Sequence, residues 1–260
     1  MGIFFPDEPN YFPDQRPVGF KRYAQVLERD WKRFFLVDLL TLVTLIPFAA
    51  GVILAIATSS VLVLIPACVI GGVIAGPGVA CMYDCILRSL RDNIDDWWFN
   101  YKKAFRQNLG SSLLPGVVMC LFIGFLAFAC ALLWWSNLPI TAGTVAILLV
   151  SALIVTMVFT IWWPQIVLFS QKPTLQLKNC LLFIIQYLWK TLGVAALQLV
   201  WWVVMALFMP WTAFVVPFLG VWYILYVSLF FLYDKLDYAF KIEEQIAERF
   251  PEQVPVYGED

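Results

Sequence analysis

The sequence predicts an all-α fold, a polytopic membrane helix bundle of about six transmembrane helices in three outward hairpins, with cytoplasmic amphipathic interfacial helices. Three observations predict it. Hydrophobic residues fill 62% of 260 positions and charged residues 13%, with a mean hydropathy of +0.82; soluble domains are about half apolar and a quarter charged. The apolar positions form runs of the length, about 20 residues, that a helix needs to cross a ~30 Å hydrocarbon core. The cations gather beside alternate ends of those runs. The net charge of −1, from 17 Lys and Arg against 18 Asp and Glu, says less than their placement.

The first apolar run starts at Phe34, behind Lys21, Arg22, Arg29, Lys32 and Arg33. It starts too far in, and its core is too long, for a cleaved secretory signal, so it reads as a retained span. Six runs follow in order: 34–58, 61–87, 112–135, 141–169, 190–210 and 213–233. Within each pair the connection is short and uncharged: Ser59-Ser60, the Ser136 to Ile140 stretch, and Met209 to Thr212. Small, polar and proline residues of this kind make tight turns between antiparallel helices.

Segments 1–33, 88–111, 170–189 and 234–260 hold essentially every Lys and Arg, and the positive-inside rule assigns them to the cytoplasm. The expectation is a multi-pass plasma-membrane protein with both termini cytoplasmic. Residues 1–260 read as a single membrane domain: a cytoplasmic amphipathic segment at 1–33, a six-span bundle at 34–233, and an acidic amphipathic tail at 234–260. Trp31-Lys32-Arg33-Phe34, Tyr101 to Phe105 and Leu188 to Thr191 repeat an aromatic-basic pattern near the start of a span. Duplication and ordinary interface anchoring both account for it.

Phe20, Tyr23, Leu27, Trp31 and Phe34 recur at steps of three and four, as do Ile94, Trp98, Tyr101, Phe105 and Leu109. Such stripes predict helices lying in the headgroup layer. Residues 177–189 are nearly all apolar and predict a third, more deeply seated elbow. In the tail, Ala239, Ile242, Ile246 and Phe250 form a stripe among Glu243, Glu244 and Glu248. Anionic lipid repels an acidic helix, so these four residues are candidates for a partner-protein contact.

The densest motif is Ile70-Gly71-Gly72-Val73-Ile74-Ala75-Gly76-Pro77-Gly78. Proline removes a backbone donor and flanking glycines relax the chain, so a break or sharp kink is expected near Pro77. Two readings stand. An interrupted span can line a solute path, and Gly72-x-x-x-Gly76 can seat a neighbouring helix closely. Asp38 and Asp84 lie inside apolar runs near their cytoplasmic ends, where a carboxylate is costly and faces protein or water. They are candidates for caps, for ion pairs with Arg33 or Arg88, or for a proton or cation relay.

Cys81, Asp84 and Cys85 share a helical face, but the chain has no histidine and four ligands are the usual need, so no metal site is assigned. Six cysteines lie in or beside apolar runs and predict small apolar filler rather than a disulfide framework. The missing histidine removes Ser-His and Cys-His pairs, and no Gly-Lys-Ser/Thr phosphate loop occurs. Neither catalytic residues nor a cofactor are assigned. Asp95-Asp96 and Glu243-Glu244 read as solvated faces. Most of the tryptophans, Trp31, Trp97, Trp98, Trp134, Trp135, Trp189 and Trp211, sit where an aromatic belt belongs. Trp201 and Trp202 are mid-span and either line a cavity with Trp222 and Tyr226 or pack. Basic and aromatic residues at 97–106 point to lipid headgroups rather than nucleic acid.

Residues Ile70 to Tyr83, Leu87-Arg88-Ser89-Leu90-Arg91-Asp92 and Trp98-Phe99-Asn100-Tyr101-Lys102-Lys103-Ala104-Phe105-Arg106-Gln107-Asn108-Leu109 together resemble the YesL family of bacterial integral membrane proteins. The resemblance covers about 70–113 and extends in hairpin order over most of the rest. The apolar run between Pro47 and Pro66 and the longer amphipathic tails depart from the family. The resemblance implies association with carbohydrate uptake systems of the ATP-binding-cassette (ABC) type and brings no catalytic residues. The expected function is therefore a non-enzymatic accessory or scaffold subunit contacting membrane lipids and other membrane subunits. A small-solute transporter or channel using Gly76-Pro77-Gly78 with Asp38 and Asp84 is the alternative, and a lipid-modifying enzyme is a third class.

Overall fold

The structure, a computed structural model, describes residues 17–93, 96–135, 141–169 and 171–249. Among them there is no strand. Nine α-helices follow in order: α1 Phe20–Ala57, α2 Val61–Leu90, α3 Trp97–Trp135, α4 Ala142–Leu168, α5 Pro173–Gln186, α6 Leu188–Leu207, α7 Val216–Leu219, α8 Trp222–Phe240 and α9 Ile242–Arg249. Six spans are long and apolar enough to cross a membrane, α7 and α8 together making the sixth. The turn expected at 136–140, together with Ile94 and Phe250, lies outside the described residues.

α1 and α3 run for 38 and 39 residues, about 57 Å each at 1.5 Å per residue. The two stretches expected as interfacial helices ahead of the first and third spans are instead the uninterrupted starts of spans that overshoot the hydrocarbon core, whereas the elbow expected at 177–189 falls mostly in α5, a helix of its own. Part of the aromatic stripe of α1 turns inward to protein, while Phe20 and Trp31 stay exposed. Tyr23 packs on Tyr226 and Phe230 at 5.1 and 5.4 Å between ring centroids, and Phe34 on Trp222 and Tyr226 at 5.6 and 5.4 Å. Tyr23 and Phe34 thus have protein partners, and Phe20 and Trp31 keep the exposed side of the stripe.

The tightest packing joins α1, α2 and α3. The first turn closes with Ser59 at φ 48, and the Ser60 and Ser59 amides donate to the Ala55 and Ile56 carbonyls, the paired bonds that end a helix in a left-handed residue. α2 then returns along α1 and turns its small residues to α3. On α3 the buried seam is Ala104, Asn108, Ser112, Gly116, Cys120, Gly124 and Phe128, every fourth residue. It meets Leu64, Cys68, Gly72, Gly76 and Ala80 of α2, also at steps of four. A Cβ on Gly116 would lie 2.5 Å from the Gly72 carbonyl oxygen, and one on Gly76 would lie 2.5 Å from that of Ser112. Backbones this close are how helices gain dispersion contact where lipid leaves no hydrophobic driving force.

The second half is more open. α4 buries only its last third, around Phe159 to Ile166, and packs on α2, α3, α5 and α6. Gln198 of α6 donates to Thr160 of α4 at 2.9 Å, a polar tie between spans. α5 lies between the ends of α4 and α6, held by the Trp162 indole donating to Gln176 at 3.1 Å and by Gln165 donating to the Cys180 sulfur at 3.1 Å. Phe183 of α5 stacks on Phe240 of α8 at 5.7 Å.

Candidate functional site

Two polar constellations stand out. The first occupies the end of the bundle where α1 begins and α2 finishes, built around a helix terminus. The Asp92 and Asn93 amides donate to the Ser89 and Arg88 carbonyls, with Asp92 left-handed at φ 61. Glycine is the usual occupant of such a position, and a side chain there costs of order 1 kcal/mol. The carboxylate explains the exception: Arg22 donates to it at 2.8 Å and Arg29 at 2.6 Å, each from α1. The same guanidiniums reach the Leu90 and Ser89 carbonyls at 2.9 and 2.8 Å, so two arginines cap the carbonyl end of α2. Arg29 also donates twice to Asp30, which Arg33 approaches at 3.3 Å.

Asp92 is 1% exposed. Burial alone would push its carboxyl up, but the hydrogen bonds and charges of Arg22 and Arg29 outweigh that and hold it below the ordinary carboxylate range. Beside the clamp, Arg88 donates to Asp84 at 2.7 Å, one helical turn apart on α2. A cavity of about 30 Å³ opens here, lined by Arg33, Asp84, Cys85, Arg88, Asn93, Trp97, Asn100 and Tyr101, room for one or two water molecules.

The second constellation lies within the membrane span. α2 passes through Pro77 as one helix from Val61 to Leu90, so of the break or sharp kink expected at Gly76-Pro77-Gly78 the break is absent. The glycines there are filled by neighbours: Gly72 and Gly76 by α3, Gly78 by Thr44 of α1. Thr41 also donates to the Gly78 carbonyl at 3.2 Å. Support on both sides holds a proline-containing helix together.

The interruption falls instead in the sixth span, at Gly220-Val221 between α7 and α8. There the Trp222 amide leaves its helical acceptor, the Phe218 carbonyl, and donates to Asp38 Oδ1 of α1 at 3.1 Å. The Trp222 indole takes over that carbonyl at 2.6 Å, and the Trp201 indole donates to the Gly220 carbonyl at 3.1 Å. The freed backbone groups of the break are thus answered by one acid and two tryptophans, as hydrocarbon demands. Asp38 is fully buried, and its Oδ2 has no hydrogen-bond partner. Asp38 therefore caps a half-helix, while Trp201 packs on Tyr223 at 5.5 Å and Trp202 faces outward.

The candidate site residues separate accordingly. Gly72, Gly76, Pro77 and Gly78 form a packing seam, Asp84 joins the charged end, and Asp38 joins the sixth span. The expected tail stripe is divided by Lys241, left-handed at φ 48. Ala239 is exposed at the end of α8, and Ile242 is buried in the core, which withdraws it from any partner contact. Ile246 falls within α9, and Phe250 lies outside the described residues. Sequence reasoning missed Arg22, Arg29, Asp92, Gly116 and Gly220. The step-of-four small residues in α3 and the Asp-Asn pair closing α2 were the available signals.

Fold and composition together define a polytopic α-helical membrane protein. Comparison of the chain with protein-family models, curated proteins and solved structures finds no match.

Proposed function

We propose that this chain is a non-enzymatic membrane subunit that scaffolds other proteins, with its charged end in the cytoplasm. The observation that carries the reading is the seating of the acidic α9. Ile242 anchors it in the core, Tyr233 donates to Glu243 at 3.2 Å, and the Glu243 amide donates to Asp237 at 2.9 Å. Glu244 and Glu248 are left facing out from a fixed base. A helix held at its root and acidic on its outer side suits a basic protein surface. The resemblance to the YesL family supports an ABC-type carbohydrate uptake system as the partner class. The test is purification from native membranes of the full chain and of the double variant Glu244→Lys/Glu248→Lys. Recovery of a transporter ATPase with the first and its loss with the second is the expected result. Equal recovery with both, or none with either, overturns the proposal.

A second reading, a small-solute or proton-coupled transporter, is favoured by one observation: the interrupted sixth span with the buried Oδ2 of Asp38 beside it. It requires flux into liposomes holding this protein alone, abolished by Asp38→Asn. Flux that survives the substitution, or an absence of flux, removes it.

A further inference from the structure

We infer that α5 is an in-plane anchor that sits in the bilayer leaflet at the charged end of the bundle and engages anionic lipid headgroups. α5 spends its narrow inner face, Gln176, Cys180 and Phe183, on the bundle. At 100° per residue those three lie within about 60° of one another. Leu177, Leu181, Ile185, Leu182 and Leu175 spread over the opposite half of the helix and are all exposed, Ile185 at 74%. An outer half that carries five large apolar side chains is stable only where it too is largely out of water.

The position of α5 says what covers that half. The helix follows α4 and leads directly into α6, both long and apolar enough to cross a membrane. Leu188, exposed at the first position of α6, carries the apolar surface of Leu181, Leu182 and Ile185 on toward that span. Its contact with Phe240 places it at the end where Arg91 and Asp92 lie, because Phe240 closes α8 beside Glu243, whose carboxylate accepts from Tyr233 and acts on Arg91. Trp189, 81% exposed, follows at the mouth of α6, an amphipathic ring of the sort that settles among headgroups.

Charge selects the lipid. Between Phe169 and Gly193 the chain carries three lysines, Lys172, Lys178 and Lys190, and no acid. All three are exposed, and none pairs with a carboxylate among the described residues. Lys172 and Lys190 flank the helix, and Lys178 has a stem long enough to lie along the apolar face while its ammonium reaches phosphate. At an anionic surface each lysine weights the seated position about fivefold, and three together about a hundredfold. An aqueous cover would leave five large apolar side chains wet.

The test uses the full chain reconstituted in vesicles, with a spin label at Leu182→Cys or Ile185→Cys in a Cys130→Ser background, Cys130 being the exposed native thiol. Collision with oxygen reports acyl chains, collision with a water-soluble nickel complex reports water, and weak collision with both reports protein. The expected result is oxygen-dominated relaxation at both sites, deeper in vesicles containing phosphatidylglycerol than in phosphatidylcholine alone. That difference should vanish in Lys172→Gln/Lys178→Gln/Lys190→Gln. Nickel-dominated relaxation, or shielding from both probes, overturns the inference. Identical depth in the two lipids refutes the lysine anchorage. A functional assembly is not required, so the outcome stands apart from that of the partner purification.

Discussion

The α2–α3 seam gives the sharpest test of the packing. Replacing Gly116 with alanine adds one methyl carbon 2.5 Å from the Gly72 carbonyl oxygen, 2.7 Å from Gly76 Cα and 3.2 Å from the Gly76 nitrogen. All three obstacles are backbone, so no side chain can rotate away, and an ordinary contact needs the helices to part by about 1 Å. Separation along a seam this long loses dispersion at every neighbouring step. Overpacking of this kind costs typically 1–3 kcal/mol. Gly110→Ala is the internal control, because on the same helix its Cβ meets nothing within 4 Å, and alanine gains up to about 1 kcal/mol of helix propensity there. At about 2–4 °C per kcal/mol for a chain of this size, Gly116→Ala should lower the unfolding midpoint by roughly 2–12 °C. Gly110→Ala should leave the midpoint unchanged or raise it. Both can be followed by tryptophan fluorescence during heating in one detergent. A Gly116→Ala midpoint at or above the parent's would refute the seam.

Other consequences are as direct. Gly76→Leu, which drives a branched side chain at the Ser112 carbonyl, should impair assembly more than Gly116→Ala; a monodisperse variant of parental midpoint would contradict the geometry. Asp92→Asn strips the charge from a buried double pair and should destabilise by about 3–5 kcal/mol, the cost of leaving buried cations uncompensated. The native Asp92 carboxyl lies below its unfolded value, so its contribution is complete above about pH 4. It is lost as acid carries the pH down through the native value. Stability of the parent should thus fall below pH 4 more steeply than that of Asp92→Asn, and parallel curves would count against the clamp. Asp38→Ala should cost about 0.5–2 kcal/mol, as a lost helix cap does, whereas Asp38→Asn keeps an acceptor for the Trp222 amide and should cost less; the reverse order in thermal unfolding would sink the cap.

Much of the bundle was legible in the sequence because hydrocarbon imposes length and composition on every span. The hairpin turn at Ser59-Ser60 and the near-neighbour pair Asp84 with Arg88 were legible for a similar reason: both are local. The clamp was not, because Arg22 and Asp92 are 70 residues apart and nothing at either position names the other. At Pro77 α2 runs on as one helix because neighbours on both sides supply the support that proline removes, and Gly72 and Gly76 seat α3 closely. The actual interruption at Gly220 carries a quieter signal, a lone glycine, and depends on an acid from α1 for its cap. The stripe from Phe20 to Phe34 shows the general limit: an amphipathic period reveals that a face is covered, but lipid and protein write the same period.

The clamp also bears on how the chain is made. Arg22 and Arg29 leave the ribosome long before Asp92, and at ~5–20 residues per second the wait from Arg22 to Asp92 is roughly 4–14 s. During that interval Arg29 has Asp30 beside it, but neither guanidinium has yet met the Asp92 carboxylate or the α2 carbonyls, so the clamp leaves the register of the first helix free. Synthesis of the left-handed corner after α2 ends that freedom. Only from that moment can the clamp hold the register of the opening hairpin, with four spans still to be made.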